Sequence, residues 1–98
     1  GQQNFERDIE ISMRYKNIPA NFVVVQSLDQ KITITCRGLR KDVSLLNENN
    51  TSAFVELSAQ PGVSFYNMNP RNINLPNNRV QVVNITPSKV EITLAKKE

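Results

Sequence analysis

The sequence predicts an all-β domain with one short helix, and three observations carry that prediction. Apolar and polar residues alternate with period two through most segments. Turn-forming residues separate those segments about every 8–15 residues. Helical spacing occurs in a single stretch, at Leu39, Val43 and Leu46.

Each element follows from its own pattern. Ile9, Ile11, Met13 and Tyr15 alternate with Glu10, Ser12, Arg14 and Lys16, which gives a strand with one wet face. Pro19 ends it, because proline has no N–H for a ladder. The β-branched run Phe22–Val25 reads as a second strand, and Ser27-Leu28-Asp29-Gln30 as a connection. From Lys31 to Arg37 the alternation returns, with Ile32, Ile34 and Cys36 on one side and Thr33 and Thr35 on the other; Gly38 breaks it. The helical stripe defines a helix over about residues 39–47 that is too short to stand alone, so it must lie on a sheet. Ala53, Val55 and Leu57 alternate with Phe54 and Glu56 in another strand, and Pro61-Gly62 is a turn pair. Val63–Tyr66 is a short strand, Asn67–Pro70 a turn, and Ile73 and Leu75 alternate into Pro76. Arg79 to Ile85 and Lys89 to Leu94 form the last two strands, split by Thr86-Pro87-Ser88. Thirteen asparagines, clustered at 47–50, 67–74 and 77–78, mark turns, since Asn tolerates left-handed backbone and bonds its own main chain.

Size and composition narrow the function. At 98 residues and 11.1 kDa the chain makes one domain, with about 5,600 Å² of surface expected if it is compact. Twelve basic against nine acidic residues give a mild net charge of +3, whereas a dedicated nucleic-acid binder usually shows a denser basic patch. The absence of His removes the commonest general base and metal ligand, and a single Cys excludes an internal disulfide and a Cys-based zinc cluster. With glycine only at Gly1, Gly38 and Gly62, no phosphate-binding loop can be written. Composition therefore points away from an enzyme, and no catalytic, cofactor-binding or metal residue is assigned. No apolar run is long enough to span a bilayer. A start at Gly1 without Met suggests a piece of a longer protein.

The remaining chemistry-bearing residues read as structural. Asp8 and Glu10 form a carboxylate pair on one strand face, but with Arg7 and Arg14 beside them a solvated charged face is expected. Glu56 points away from the core between Val55 and Leu57. Cys36 reads as a small buried hydrophobe; Arg37 and Arg40 are the cations that a reactive thiol would use instead. Arg37, Arg40 and Lys41 form the densest basic cluster, with Lys96 and Lys97 at the tail, and read as a solvated rim because the six aromatics are scattered and the four Phe mostly fit strand cores. Three Asn-x-Ser/Thr sequons, beginning at Asn49, Asn50 and Asn84, are attributed to chance.

The order of the punctuation carries more than any single motif. Glu6-Arg7-Asp8-Ile9 leads to Tyr15-Lys16-Asn17-Ile18-Pro19, then to a Thr/Ile strand closing on Arg37-Gly38. After the helical stretch come Phe54-Val55-Glu56-Leu57-Ser58, Pro61-Gly62, Asn72-Ile73-Asn74-Leu75-Pro76, Val80-Gln81-Val82 and Ile85-Thr86-Pro87-Ser88-Lys89-Val90-Glu91-Ile92. This series resembles the bacterial YbbR-like domain. That family has a first strand ending in an Asn-Leu-Pro-like triplet, a strand closing on Gly, a middle strand near Val-Asp-Leu-Ser, and a closing Ile-x-Pro-x-x-Val pair. The resemblance runs from about residue 6 to residue 94. Glu56 departs from the family's Asp, and the Ser58–Gly62 loop departs in spacing.

The resemblance implies a β-rich, winding figure-eight topology, similar to the C-terminal domain of certain stress-related ribosomal proteins. It implies one YbbR-like domain over residues 6–95, after a leading segment 1–5 (a scar or linker) and before a tail or linker at 96–98. It further implies a first, membrane-proximal copy behind an N-terminal transmembrane helix, on the extracytoplasmic side of a bacterial membrane. The isolated domain would be a soluble monomer without turnover, acting by contact with a membrane protein, with strand edges and Asn-rich loops such as 67–78 as the expected contact surface. A diadenylate cyclase, the source of cyclic di-AMP, is the first candidate partner. No catalytic residue carries over, the binding residues are unknown, and Ser27, in Gln26-Ser27-Leu28, lacks the Asp that precedes a modifiable Ser in one relative. The alternative is an RNA-binding β domain by analogy with the ribosomal topology, and weak, non-specific RNA binding is expected from the low charge.

Overall fold

A computed structural model describes residues 4–25 and 30–98. The Gln26–Asp29 part of the second connection, Ser27 included, lies outside the described residues. The strands are β1 (Phe5–Lys16), β2 (Phe22–Val25), β3 (Lys31–Gly38), β4 (Ser52–Glu56), β5 (Gly62–Asn67), β6 (Ile73–Asn74), β7 (Gln81–Thr86) and β8 (Lys89–Lys96). One helix, α1 (Arg40–Val43), follows β3, and a 3-10 turn covers Pro70–Asn72. β1 begins at Phe5 and β8 ends at Lys96, so the strands reach one residue beyond the 6–95 span at each end.

The strands form two curled sheets, one of five strands in the order β6-β4-β1-β3-β7 and one of three in the order β2-β8-β5. The long first strand changes partner partway along. Phe5–Ser12 pair antiparallel with β3, and Met13–Lys16 pair parallel with β4. The chain visits the smaller sheet three times, at β2, β5 and β8, and returns to the larger one after the first two visits. The all-β class is the one the alternation predicts, and the winding path between two sheets is consistent with the topology that the family resemblance implies. The molecule is long and thin, 59 × 20 × 19 Å, with a radius of gyration of 15.4 Å; a compact chain of this length would have about 13 Å. The shape accounts for an accessible surface of 6540 Å², above the size-based expectation.

The core is the inward parity of the strands. Ile9, Ile34 and Ile85 form one buried row across β1, β3 and β7, and Ile11 and Ile32 form the next. Ala53, Val55 and Ile73 continue it on the other side of β1, and Val90, Ile92 and Leu94 supply the buried face of β8. The register of β3 on β7 slips between Thr35 and Cys36, which leaves Val83 as an extra residue on β7. Gly38 sits in close packing: a Cβ there would come within 3.1 Å of the Arg79 carbonyl oxygen, which would have to give by a few tenths of an ångström. Gly62 opens β5 at φ +92, and Asn17 and Asn21, outside the asparagine clusters read from the sequence, take φ 58 and 69 around the turn into β2.

The helix is shorter than the predicted 39–47. Regular α-helix covers only Arg40–Val43, because Asn47 and Asn50 draw the backbone into a side-chain-bonded turn: Asn47 Oδ1 accepts from Asn49 N at 2.8 Å, and Asn50 Nδ2 donates to the Leu45 carbonyl at 2.9 Å. Its apolar stripe still lies on the sheet. Arg7 holds the helix end, with Nη1 donating to the carbonyls of Val43 (3.2 Å) and Leu46 (2.9 Å). Arg7 shares the parity of Ile9, so it belongs to the inner face and not to a solvated one. Leu45 is 60% exposed and Leu46 1%. Leu46→Ala is therefore expected to cost about 3 kcal/mol in urea unfolding, while Leu45→Ala changes stability by no more than about 0.5 kcal/mol. Equal losses would show that the stripe is misplaced.

Candidate interaction surface

The polar residues singled out in the sequence are dispersed, and several have local partners. Asp8 accepts from Thr35 Oγ1 at 2.6 Å across the β1–β3 pair, so it is a ladder contact and not half of a carboxylate dyad. Glu10 is exposed opposite Thr33. Glu56 accepts from Asn17 Nδ2 at 2.7 Å. Cys36 is a buried free thiol whose pKa is pushed up mainly by burial; Arg7 draws it down and Asp8 adds to the rise. Among the described residues no group of three His, Cys, Asp or Glu side chains could hold a metal ion. Among them, too, no helix is long and apolar enough to cross a membrane.

The basic cluster also divides. Arg37 pairs with Glu6 through Nε at 2.8 Å. The Arg40 guanidinium lies 3.9 Å from the centroid of the Phe5 ring, and Lys16 Nζ lies 3.7 Å from that of Phe54. Lys41 and Lys96 are exposed, and the Lys97 amide donates to the Asn21 carbonyl at 2.8 Å. One ion pair reaches the interior, where buried Asp42 accepts from Arg79 Nε at 3.1 Å. It fastens α1 to the bend leading into β7, a structural role.

What the sequence reading missed is apolar. The sequence places most of the phenylalanines in strand cores, but none is fully buried: Phe5 and Phe22 are half-buried against the core, Phe54 is half-buried and Phe65 is 63% exposed. Phe65 stands with Val63, Val23 and Val25 on the outer face of the β2-β8-β5 sheet. The register places Val25, Thr93 and Val63 in one row across the three strands, with Ala95 beside Val23 and Glu91 beside Phe65. Four exposed large apolar residues on one small sheet form a patch, and patches of this kind mark contact sites. The available signal was β2, whose run Phe22-Val23-Val24-Val25 has no polar parity. An expected alternative surface, the Asn-rich segment 67–78, is mostly exposed but is pinned by buried Met68 and Ile73 and by Asn72 Nδ2 donating to the Phe54 carbonyl at 3.1 Å.

Comparison with known proteins bears on the fold. No protein-family model and no curated protein matches the chain. Two solved structures do match, both of a YbbR family protein from Desulfitobacterium hafniense DCB-2. The crystal structure superposes with a TM-score of 0.71 at 24% identity, covering 92% of this chain and 96% of that one. The NMR structure of residues 32–118 gives a TM-score of 0.73 at 22% identity, covering 95% and 90%. At that identity the likeness is one of architecture, and it spans nearly the whole of both chains. The resemblance read from the order of the sequence motifs is thus matched in three dimensions, and the chain has the YbbR-like fold.

Proposed function

We propose that this domain is a non-catalytic protein-interaction module of a longer, membrane-anchored bacterial protein, working on the extracytoplasmic side. The observation that carries the contact role is the exposed apolar face of the β2-β8-β5 sheet, Val23, Val25, Val63 and Phe65. Such a face is costly to leave in water and gains free energy when a partner covers it. The YbbR-like fold supports the setting, and a membrane diadenylate cyclase is the first candidate partner through the family resemblance. The RNA-binding alternative has less support, because Arg40 and Lys16 already lie over the rings of Phe5 and Phe54, which leaves fewer open platforms for stacking bases.

The test is crosslinking and recovery from membranes that contain the full-length protein. The expected result is a recovered membrane protein whose yield falls severalfold when this domain is deleted, with the abundance of the partner unchanged. Yield unaffected by the deletion would reduce the domain to a spacer. Sub-micromolar binding of a structured RNA at physiological salt would replace the contact reading with the RNA-binding one.

A further inference from the structure

We infer that the free edge of β5 accepts an extended segment of another protein as an added strand. This rests on the contact role above and names its mode. The two ladders of β8 fix which way each backbone group points. The Met68 amide donates to the Ser88 carbonyl at 2.8 Å, continuing the β5–β8 register. Residues of an antiparallel pair alternate between bonding inward and pointing away. Tyr66, Ser64 and Gly62 therefore bond to β8, while the N–H and C=O groups of Val63, Phe65 and Asn67 point off the sheet. On the other side the Lys97 amide donates to Asn21, which assigns the odd residues of β8 to β2, as this alternation requires.

Sheet edges normally carry protection: charge, proline, a bulge or shortness. β5 has none of these. Its sequence Gly62-Val63-Ser64-Phe65-Tyr66-Asn67 is uncharged and free of proline, and its register with β8 is unbroken. The other edges differ. β6 has two residues, β7 carries the extra Val83, and β2 has four residues, with the Phe22 amide already donating to the Pro19 carbonyl at 3.1 Å.

The occupant is an extended chain, because only extended backbone matches a row of donors and acceptors at strand spacing. Its alternate residues are apolar, to stand beside Val63 and Phe65. It also carries a carboxylate. Lys89 Nζ lies 6.0 Å from the centroid of the Phe65 ring, on the exposed face, and among the described residues Lys89 is in no ion pair. A second copy of β5 would bring no acidic residue to it.

The probe is an eight-residue synthetic peptide in which valine alternates with threonine before two terminal glutamates, titrated into the isotope-labelled 98-residue chain and followed by amide NMR. Saturable shifts centred on Val63, Phe65 and Asn67 are expected, with slowed exchange of the Val63 and Phe65 amides. Phe65→Pro removes one outward N–H without touching the β8 ladder, and Val63→Lys adds an edge charge. Each should weaken binding about tenfold. N-methylation of the peptide's pairing amides should abolish binding. Three results would overturn the proposal: no saturable binding, equal binding of the methylated peptide with shifts at Val23, Val25 and Thr93, or concentration-dependent shifts at β5 without peptide. Partner recovery from membranes that depends on the domain but survives Val63→Lys would leave the contact role standing and remove the edge from it.

Discussion

Truncating Ile34 to alanine is expected to cost about 3–4 kcal/mol, in the upper half of the range for buried isoleucine. Ile34 has no exposed surface and sits mid-row between Ile9 and Ile85, on a strand bonded on both sides. Its neighbours are therefore held by two ladders and cannot close over the missing methyl groups, so most of the cavity persists. A domain of this size is stable by about 5–15 kcal/mol in all, so one substitution removes a large fraction. In urea, with a slope of about 1–1.5 kcal/mol per molar, the midpoint should fall by about 2–4 M. Ile18→Ala is the matched control, since Ile18 is exposed after the end of β1, and its midpoint should hardly move. A loss at Ile34 below about 1 kcal/mol would mean that the isoleucine row is not packed as described.

That row was legible in the sequence because β1 and β3 each keep one wet face. Glu10 and Thr33 flank the isoleucines with polar side chains, so the parity of Ile9, Ile11, Ile32, Ile34 and Cys36 had one solution. Pairing was not legible. Nothing local in β1 announces that Ser12 faces β3 while Met13 joins β4, since partner choice is a property of the whole sheet. The Arg79–Asp42 pair joins residues 37 apart and leaves no pattern. Arg7 shows the same limit. Its charge suggested solvent, whereas its parity put it at the end of the apolar face, where helix carbonyls needed a donor.

The candidate surface was half legible. Strand edges and Asn-rich loops were expected to make contacts, but which edge depends on sheet order. In β5 both parities carry an aromatic, Phe65 on one and Tyr66 on the other, so alternation cannot say which faces water. The structure turns Tyr66 inward, where its hydroxyl accepts from the Ser58 amide at 3.2 Å, and turns Phe65 outward. A hydroxyl with a local partner settles the half-buried side, and the phenyl ring is left on the contact face.

Cys36 should react with a thiol reagent in native buffer at least about a thousandfold more slowly than in denaturant. Its side chain has no accessible surface, on the same parity as Ile32 and Ile34. Reagent therefore reaches it only through opening of β3, which lies between β1 and β7 and is among the last strands to be exposed. An opening free energy of at least about 5 kcal/mol gives more than three decades of protection. Alkaline stability tests the same burial independently. Burial, ahead of the pull from Arg7 and the push from Asp8, holds the folded thiol above its ordinary 9.0. The unfolded chain thus loses this proton at lower pH than the folded one. The thiol's contribution to stability is complete below about pH 9 and declines as pH rises through the unfolded and then the folded pKa. Other groups titrate in that window, so the measured quantity is the stability difference between the wild type and Cys36→Ala, followed by urea unfolding from pH 7 to pH 10.5. That difference should be constant at the lower end and shift in favour of the variant as the pH passes 9. A difference that stays flat, together with labelling as fast as in denaturant, would mean that β3 presents its other face to the core.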